Sequence, residues 1–131
     1  MILETNKVLL QATDIKKVFH TGEEDLLVLH GLQLQVYERE FLAITGESGS
    51  GKSTLLHLLG CLDNPTEGRI LYRMNGQERD LSRMNSLDLD RIRNREFGFV
   101  FQFHHLLPEF NALENVMIPG MIAGQPMGEL R

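Results

Sequence analysis

Tryptophan is absent, and the 131 residues include one cysteine, two tyrosines and four prolines. A single cysteine, Cys61, excludes an internal disulfide and a cysteine-based zinc cluster, and it fits a reducing compartment. No apolar run approaches the ~18 residues that a membrane-spanning helix requires. The opening Met1-Ile2-Leu3-Glu4-Thr5-Asn6-Lys7 has neither a basic start followed by an apolar stretch nor a small-residue cleavage site, so no secretory signal is expected. Positive charge is also short: 13 Lys and Arg face 18 Asp and Glu, for a net charge of −5. That excludes a generally basic nucleic-acid binder, and nucleic acid is not an expected partner. What remains is ordinary globular usage, 42 % apolar and 24 % charged, in a chain long enough for one domain at most.

Charge is uneven along the chain. Residues 69–95 hold seven arginines (Arg69, Arg73, Arg79, Arg83, Arg91, Arg93, Arg95) against four acids. A solvated face of mixed charge is the plain reading of this block, and a phosphate or partner surface is the other. Leu32-Gln33-Leu34-Gln35-Val36-Tyr37 alternates strictly and predicts a half-buried antiparallel strand. Val8 to Phe19 reads as a partner strand, with a turn at Thr21-Gly22-Glu23-Glu24-Asp25 and a return beginning at Leu26-Leu27-Val28-Leu29. Phe41-Leu42-Ala43-Ile44-Thr45 is apolar without alternation, as expected of a parallel strand covered on both faces. Phe97-Gly98-Phe99-Val100-Phe101 is a second such candidate. Ser53 to Leu62 is apolar nearly all round and predicts a buried helix, with His57 and Cys61 as core residues. Arg69 to Met74 is an expected strand, Asn75-Gly76 a turn, and Ser86 to Arg95 a polar helix capped by Ser86. A further helix is expected from Asn111 to Ile118.

The sharpest signal is Gly46-Glu47-Ser48-Gly49-Ser50-Gly51-Lys52-Ser53, which fits G-x-x-x-x-G-K-[ST] between a strand and a helix. A chance match at this composition is on the order of 0.5 %. Glycines at 46, 49 and 51 let successive backbone N–H groups curl inward as an anion nest. The first turn of the following helix adds unpaired N–H groups and the positive end of its dipole. Lys52 can reach β- and γ-phosphates, Ser53 offers a hydroxyl to Mg²⁺, and Thr54 can add one near the α-phosphate. The chemistry is that of a nucleoside triphosphate site. The plain alternative is a glycine-rich turn that binds nothing. The loop alone does not separate kinases, GTPases, motors and transporter ATPases.

Ser48-Gly49-Ser50-Gly51-Lys52-Ser53-Thr54-Leu55-Leu56 resembles the ABC-transporter ATPase version of this loop. Leu62-Asp63-Asn64-Pro65-Thr66-Glu67-Gly68 is similar to the turn that follows it in that family. Phe97-Gly98-Phe99-Val100-Phe101-Gln102 resembles the strand ending in the Q-loop glutamine, and Asn111-Ala112-Leu113-Glu114-Asn115-Val116 the helix start beyond it. Gln102-Phe103-His104-His105-Leu106-Leu107-Pro108, with Leu55-Leu56-His57-Leu58-Leu59-Gly60, resembles the lipoprotein-releasing (LolD-type) branch. A macrolide and peptide efflux (MacB-type) branch is the sister reading.

The resemblance implies an α/β fold: a P-loop NTPase core carrying an N-terminal antiparallel β subdomain, with residues 1–131 as the N-terminal part of one ABC ATPase domain. It implies ATP and Mg²⁺ as ligands. The nucleotide would be bound by Phe19 (stacking on adenine, as an aromatic face can), Gly46, Glu47, Ser48, Gly49, Ser50, Gly51, Lys52, Ser53 and Thr54. Mg²⁺ would be held by Ser53 and Gln102, the latter also touching the attacking water. A strand-edge role for Phe19 and a surface role for Gln102 are the plain alternatives. Implied partners are integral membrane transporter subunits, met through residues of about 102–116, and a second ATPase subunit. The implied location is the cytoplasmic face of the bacterial inner membrane. Phe103, Leu106, Leu107 and Phe110 suit a groove for a short helix of the membrane subunits. His104 and His105 read as part of this surface rather than as metal ligands.

Two departures stand out. Arg39 precedes Glu40 where the family commonly has glycine. The 29 residues after Gln102 contain no L-S-G-G-Q-type signature, no apolar run ending in Asp-Glu, and no histidine after His105. Phosphoryl transfer to water needs charge stabilisation at several points. A chain without those groups is expected to be an inactive piece of a longer reading frame, with exposed sheet edges. A small P-loop kinase with Arg91, Arg93 and Arg95 as a lid is one rival; a non-hydrolysing nucleotide-binding module is another.

Overall fold

The computed structural model describes residues 7–22 and 24–130. The opening residues 1–6, read above as no signal, Glu23 of the expected turn, and Arg131 lie outside the described residues. The chain divides into two compact units, one ending at Met84 and the other beginning at Asn85.

The first unit is built on a long antiparallel hairpin, β1 (Val8–Thr21) and β2 (Glu24–Tyr37). The two apolar stretches expected at 26–29 and 32–37 join into the single strand β2. Its alternation holds: Leu32, Leu34 and Val36 are half-buried, and Gln33 and Gln35 are exposed. The other edge of β1 pairs with β3 (Glu67–Met74), and β4 (Gln77–Asp80) returns antiparallel, giving the order β2-β1-β3-β4. Asn75 and Gly76 join β3 to β4 with φ of 50° and 77°, the two left-handed residues that suit a two-residue hairpin turn. Helix α1 (Lys52–Leu59) buries Leu55 and Leu58, three residues apart on one face. They join Leu10, Ala12, Ile15, Leu29, Cys61, Ile70, Tyr72 and Leu81 in the core. Cys61 is buried as expected, but His57 is exposed and Leu56 half-exposed. The helix is therefore amphipathic, not buried all round, because one face meets the sheet unit's core and the face of Leu56 and His57 does not.

One irregularity is shared by three strands. The ladder slips between Ala12 and Ile15, where Asp14 takes a left-handed φ of 53°. That is a β-bulge. On one side a Cβ at Gly31 would lie 2.8 Å from Asp14 Oδ1; on the other a Cβ at Gly68 would fall within contact distance of the Asp14 carbonyl. At Gly68 the bulge's own backbone leaves no room for a Cβ; at Gly31 the Asp14 carboxylate could turn aside, and it is the left-handed φ of 94° that suits glycine. Arg39, standing where glycine is common, adopts φ 62°. Its turn still closes, with Glu40 N donating to Tyr37 O at 3.3 Å and Tyr37 N to Glu40 Oε2 at 2.7 Å.

Two expected strands are not formed. Phe41–Thr45 stays outside the four-stranded sheet, with Phe41 fully exposed, and Phe97–Phe101 is likewise not a strand, with Val100 fully exposed. A buried parallel strand needs a parallel neighbour. Each unit holds only one of these runs, so neither finds a ladder within its own unit.

The second unit holds α2 (Ser86–Glu96) and α3 (Ala112–Ile122). Asn85, not Ser86, caps α2: its Oδ1 accepts from Asp88 N at 2.9 Å. Helix α3 is capped by Asn111 in a reciprocal box with Glu114, and it continues past the expected Ile118 through Pro119. Asn94 Nδ2 donates to the Pro119 carbonyl at 3.0 Å, tying α2 to α3. The buried apolar residues of this unit are Leu89, Ile92 and Met117. Four of the arginines of the 69–95 block are in ion pairs: Arg73–Glu78, Arg83–Asp80, Arg91–Asp88 and Arg93–Asp90. That favours the reading of a solvated face of mixed charge.

Candidate functional site

The glycine-rich loop runs from Gly46 into α1. Ser50 N donates to Glu47 O at 3.2 Å, which closes the loop's inner turn. Gly51 is the residue before the helix and has φ 87°. A Cβ there would sit 3.0 Å from Leu29 Cδ2 and 3.1 Å from Val28 Cγ1, so the end of the loop rests directly on β2. A Cβ at Gly46 would sit 2.8 Å from Ser50 Oγ, so this glycine lets the two limbs of the loop approach. The sequence pattern and the fold thus agree on why these positions lack side chains.

The first intrahelical bond of α1 is Leu55 N to Gly51 O at 2.8 Å. The N–H groups of Lys52, Ser53 and Thr54 therefore precede the helical ladder and have no intrahelical acceptor. No side chain caps this end, and no acid lies in the first turn. The positive end of the helix dipole is left free of a resident anion. Lys52 turns back over the loop. Its Nζ donates to Gly46 O at 2.9 Å and Glu47 O at 2.6 Å, and meets Ser50 Oγ at 3.4 Å. The ammonium thus sits within the loop's mouth, on carbonyls it can exchange for stronger acceptors. Ser53 is exposed and Thr54 half-buried; Glu47 and Ser48 are exposed.

This donor set, one cation plus backbone N–H groups at an acid-free helix start, fits a polyphosphate. The fit to a metal is narrower. Among the described residues no group of three or more His, Cys, Asp or Glu could hold a metal ion. Mg²⁺ tolerates that, since it keeps waters and takes oxygens from phosphates beside one or two protein ligands. Ser53, exposed in the first turn of α1, carries a hydroxyl oxygen of that kind.

Phe19 lies near the end of β1, opposite Leu26, and is partly exposed. Lys17 Nζ stands 5.0 Å from the Phe19 ring centroid. That ammonium is itself fixed, bonding Asp63 Oδ1 at 2.7 Å and Asn64 O at 2.8 Å. Two further bonds join the same turn to β1: Val18 N to Thr66 Oγ1 at 3.0 Å and Thr66 N to Lys16 O at 2.8 Å. Lys16 pairs with Glu67 at 2.6 Å, and that carboxylate raises the Lys16 ammonium above the ordinary lysine value. The turn after α1 is thereby clipped to the strand that carries Phe19. The sequence alone does not reveal this clip, because Lys17 and Asp63 are 46 positions apart and carry no local signature.

The structure brings Gly46 to Thr54 together as one loop and helix start. Phe19 belongs to the same unit, whereas Gln102 belongs to the second. Gln102 is exposed on the irregular segment between α2 and α3. Along that segment the Phe99 and Phe101 rings stack at 5.4 Å, and the His105 ring meets Phe101 edge-on at 5.0 Å. Phe103, Leu106, Leu107 and Phe110 are all exposed, as are Leu113 and Val116 on α3. No helix among the described residues is long and apolar enough to cross a membrane.

Known proteins bear on this geometry. The family model described as ABC transporter matches residues 29–130. The lipoprotein-releasing system ATP-binding protein LolD of Shewanella frigidimarina is 50 % identical over 122 residues, which is 93 % of this chain and 49 % of that protein. The macrolide export ATP-binding/permease protein MacB of Brucella abortus is 49 % identical over 123 residues, 94 % of this chain and 18 % of that protein. Among solved structures, the dimeric post-hydrolysis ATP-binding cassette MJ0796 bound to ADP and Pi superposes with a TM-score of 0.82 at 35 % identity. It covers 93 % of this chain, and 52 % of its own length is matched. The chain spans about half the length of the LolD relatives it matches. The α/β class holds: the antiparallel sheet and helices described above are those of part of such a cassette.

Proposed function

The chain belongs to the ABC transporter family, and from that premise we propose that it is the nucleotide-binding part of an ATPase subunit that powers release of lipoproteins from the bacterial inner membrane. Residues 1–131 are then the N-terminal part of one ABC ATPase domain, working peripherally at the cytoplasmic face. The observation that carries the reading is the Lys52 ammonium held in a glycine loop at the open start of α1. Identity to LolD-type relatives supports the cargo.

In this reading the ligand is Mg-ATP, whose terminal phosphoanhydride supplies the free energy for transport. Lys52 leaves the Gly46 and Glu47 carbonyls and neutralises the β- and γ-phosphates. The loop from Gly46 through Thr54 (Glu47, Ser48, Gly49, Ser50, Gly51 and Ser53 between them) would wrap the chain of phosphates, with backbone N–H groups, those of Ser53 and Thr54 at the helix start among them, as fixed donors. Ser53 would give Mg²⁺ one hard oxygen, and the family resemblance assigns to Gln102 a second oxygen ligand and a contact with the attacking water. Phe19 stacks on adenine with the ring face turned away from Lys17. Residues 102–116 meet the membrane subunits, and a second ATPase subunit completes the site. Hydrolysis needs acidic and signature groups that this sequence does not contain, so the 131-residue chain alone should not turn over ATP.

Lys52→Ala should weaken Mg-ATP binding by at least ~1.5 kcal/mol, the scale of a hydrogen bond to a charged group. Titration calorimetry reads this directly, and unchanged affinity removes the site assignment. Steady hydrolysis by the purified chain would overturn the account of what it lacks. A MacB-type efflux role is the second reading, favoured by the near-equal identity to the Brucella protein. Capture by MacB-type permease in preference to lipoprotein-releasing membrane subunits would select it.

A further inference from the structure

The turn before α3 is held in an unusual way. Leu107-Pro108-Glu109-Phe110 is closed by Phe110 N donating to Leu107 O at 3.1 Å, with proline at the second position, where its fixed φ suits a turn. Leu106 through Phe110 are all exposed, so burial does not fix this turn. Asn115, one turn into α3, does. Its Oδ1 accepts from Leu107 N at 2.8 Å. Its Nδ2 donates to Leu107 O at 3.1 Å, Phe110 O at 2.9 Å and Asn111 O at 3.0 Å. One half-buried amide thus joins both ends of the turn to the helix start, using donor and acceptor together.

We propose that Asn115 is a positioning residue: it locks the 107–110 turn in one shape and so presents Leu106, Leu107 and Phe110 as a preformed face to the membrane subunits. The locking stands on the hydrogen bonds alone; the purpose rests on the docking reading given above. A face already ordered loses less freedom on binding than a mobile one.

The isosteric Asn115→Asp separates this role from simple helix support. A carboxylate in the first turns of a helix suits its dipole, so a residue that only stabilised α3 would tolerate the change. A residue whose two amide N–H groups are shared among three carbonyls would not, because the carboxylate places an acceptor against them. Amide hydrogen exchange on the full chain reads the turn. The Phe110 amide, whose turn loses the Asn115 donor bonds in both variants, should exchange at least about tenfold faster in Asn115→Asp and in Asn115→Ala, and the Leu107 amide, which donates to Asn115 Oδ1, should do so in Asn115→Ala. Amides in α1 and the affinity for ATP should not change, which shows that the chain is still folded. Unaltered exchange of the Phe110 amide in Asn115→Asp overturns the proposal. The second measurement is capture of detergent-solubilised membrane subunits of a lipoprotein-releasing transporter, expected to fall about tenfold with the same variant. Faster exchange with undiminished capture would leave the lock standing and overturn its purpose, and no capture even by the unaltered chain would overturn the docking reading.

Discussion

The first unit buries ten apolar side chains, from Leu10 to Leu81, spread over three strands, a helix and two turns; the second buries three, Leu89, Ile92 and Met117, while Phe103, Leu106, Phe110, Leu113 and Val116 stay exposed. What the second unit lacks in core it replaces with asparagines. Asn85 and Asn111 cap its helices, Asn94 ties α2 to α3, and Asn115 holds the turn between them. The contrast teaches where each proposed task belongs. The loop proposed to grip phosphates ends on apolar side chains of the sheet, Val28 and Leu29. A surface meant to meet another protein can leave its apolar groups outside and be shaped by polar bonds.

Substitutions can break or sharpen that contrast. The largest effect is expected for Ile15→Ala, because Ile15 is fully buried in β1. It should destabilise the first unit by ~2–5 kcal/mol in a denaturant titration; a loss below ~1 kcal/mol would mean the first unit is no better packed than the second. Gly51→Ala comes next. Its left-handed φ and the 3.0 Å approach to Leu29 together predict a loss of ~1–3 kcal/mol and weaker nucleotide binding, read by melting and ATP titration. Asn111→Ala removes a helix cap and should cost about 1 kcal/mol, confined to α3 and visible as faster amide exchange there. Val116→Thr, at a side chain far out in solvent, should shift stability by no more than ~0.5 kcal/mol. A large loss at Val116 would show that the second unit hides a core of its own.

Much of the first unit could be read in the residues. The alternation in 32–37, the Asn75-Gly76 turn and the phosphate-loop pattern are local signals, and each appears where expected. The failures were non-local. Phe41–Thr45 and Phe97–Phe101 have the composition of buried strands, but composition cannot say whether a neighbour is present to pair with them. His57 was assigned to a core because its helix is apolar; which face is covered depends on the rest of the fold. Asn85 displaced Ser86 as a cap by one position, a choice between adjacent good cap residues. Of the site, Gly46 to Thr54 was legible because every functional group there lies within nine consecutive residues. The Lys17–Asp63 clip and the Asn115 lock join residues whose spacing has no fixed pattern.

The bulge at Asp14 has a consequence for anyone altering this sheet. Its kink is shared property, with Gly31 on one side and Gly68 on the other shaped to it. A library that varies these three positions singly will score a larger side chain at either glycine as damage and conclude that the site is frozen. Only variants that change 14, 31 and 68 in concert can ask whether a straight ladder would serve as well.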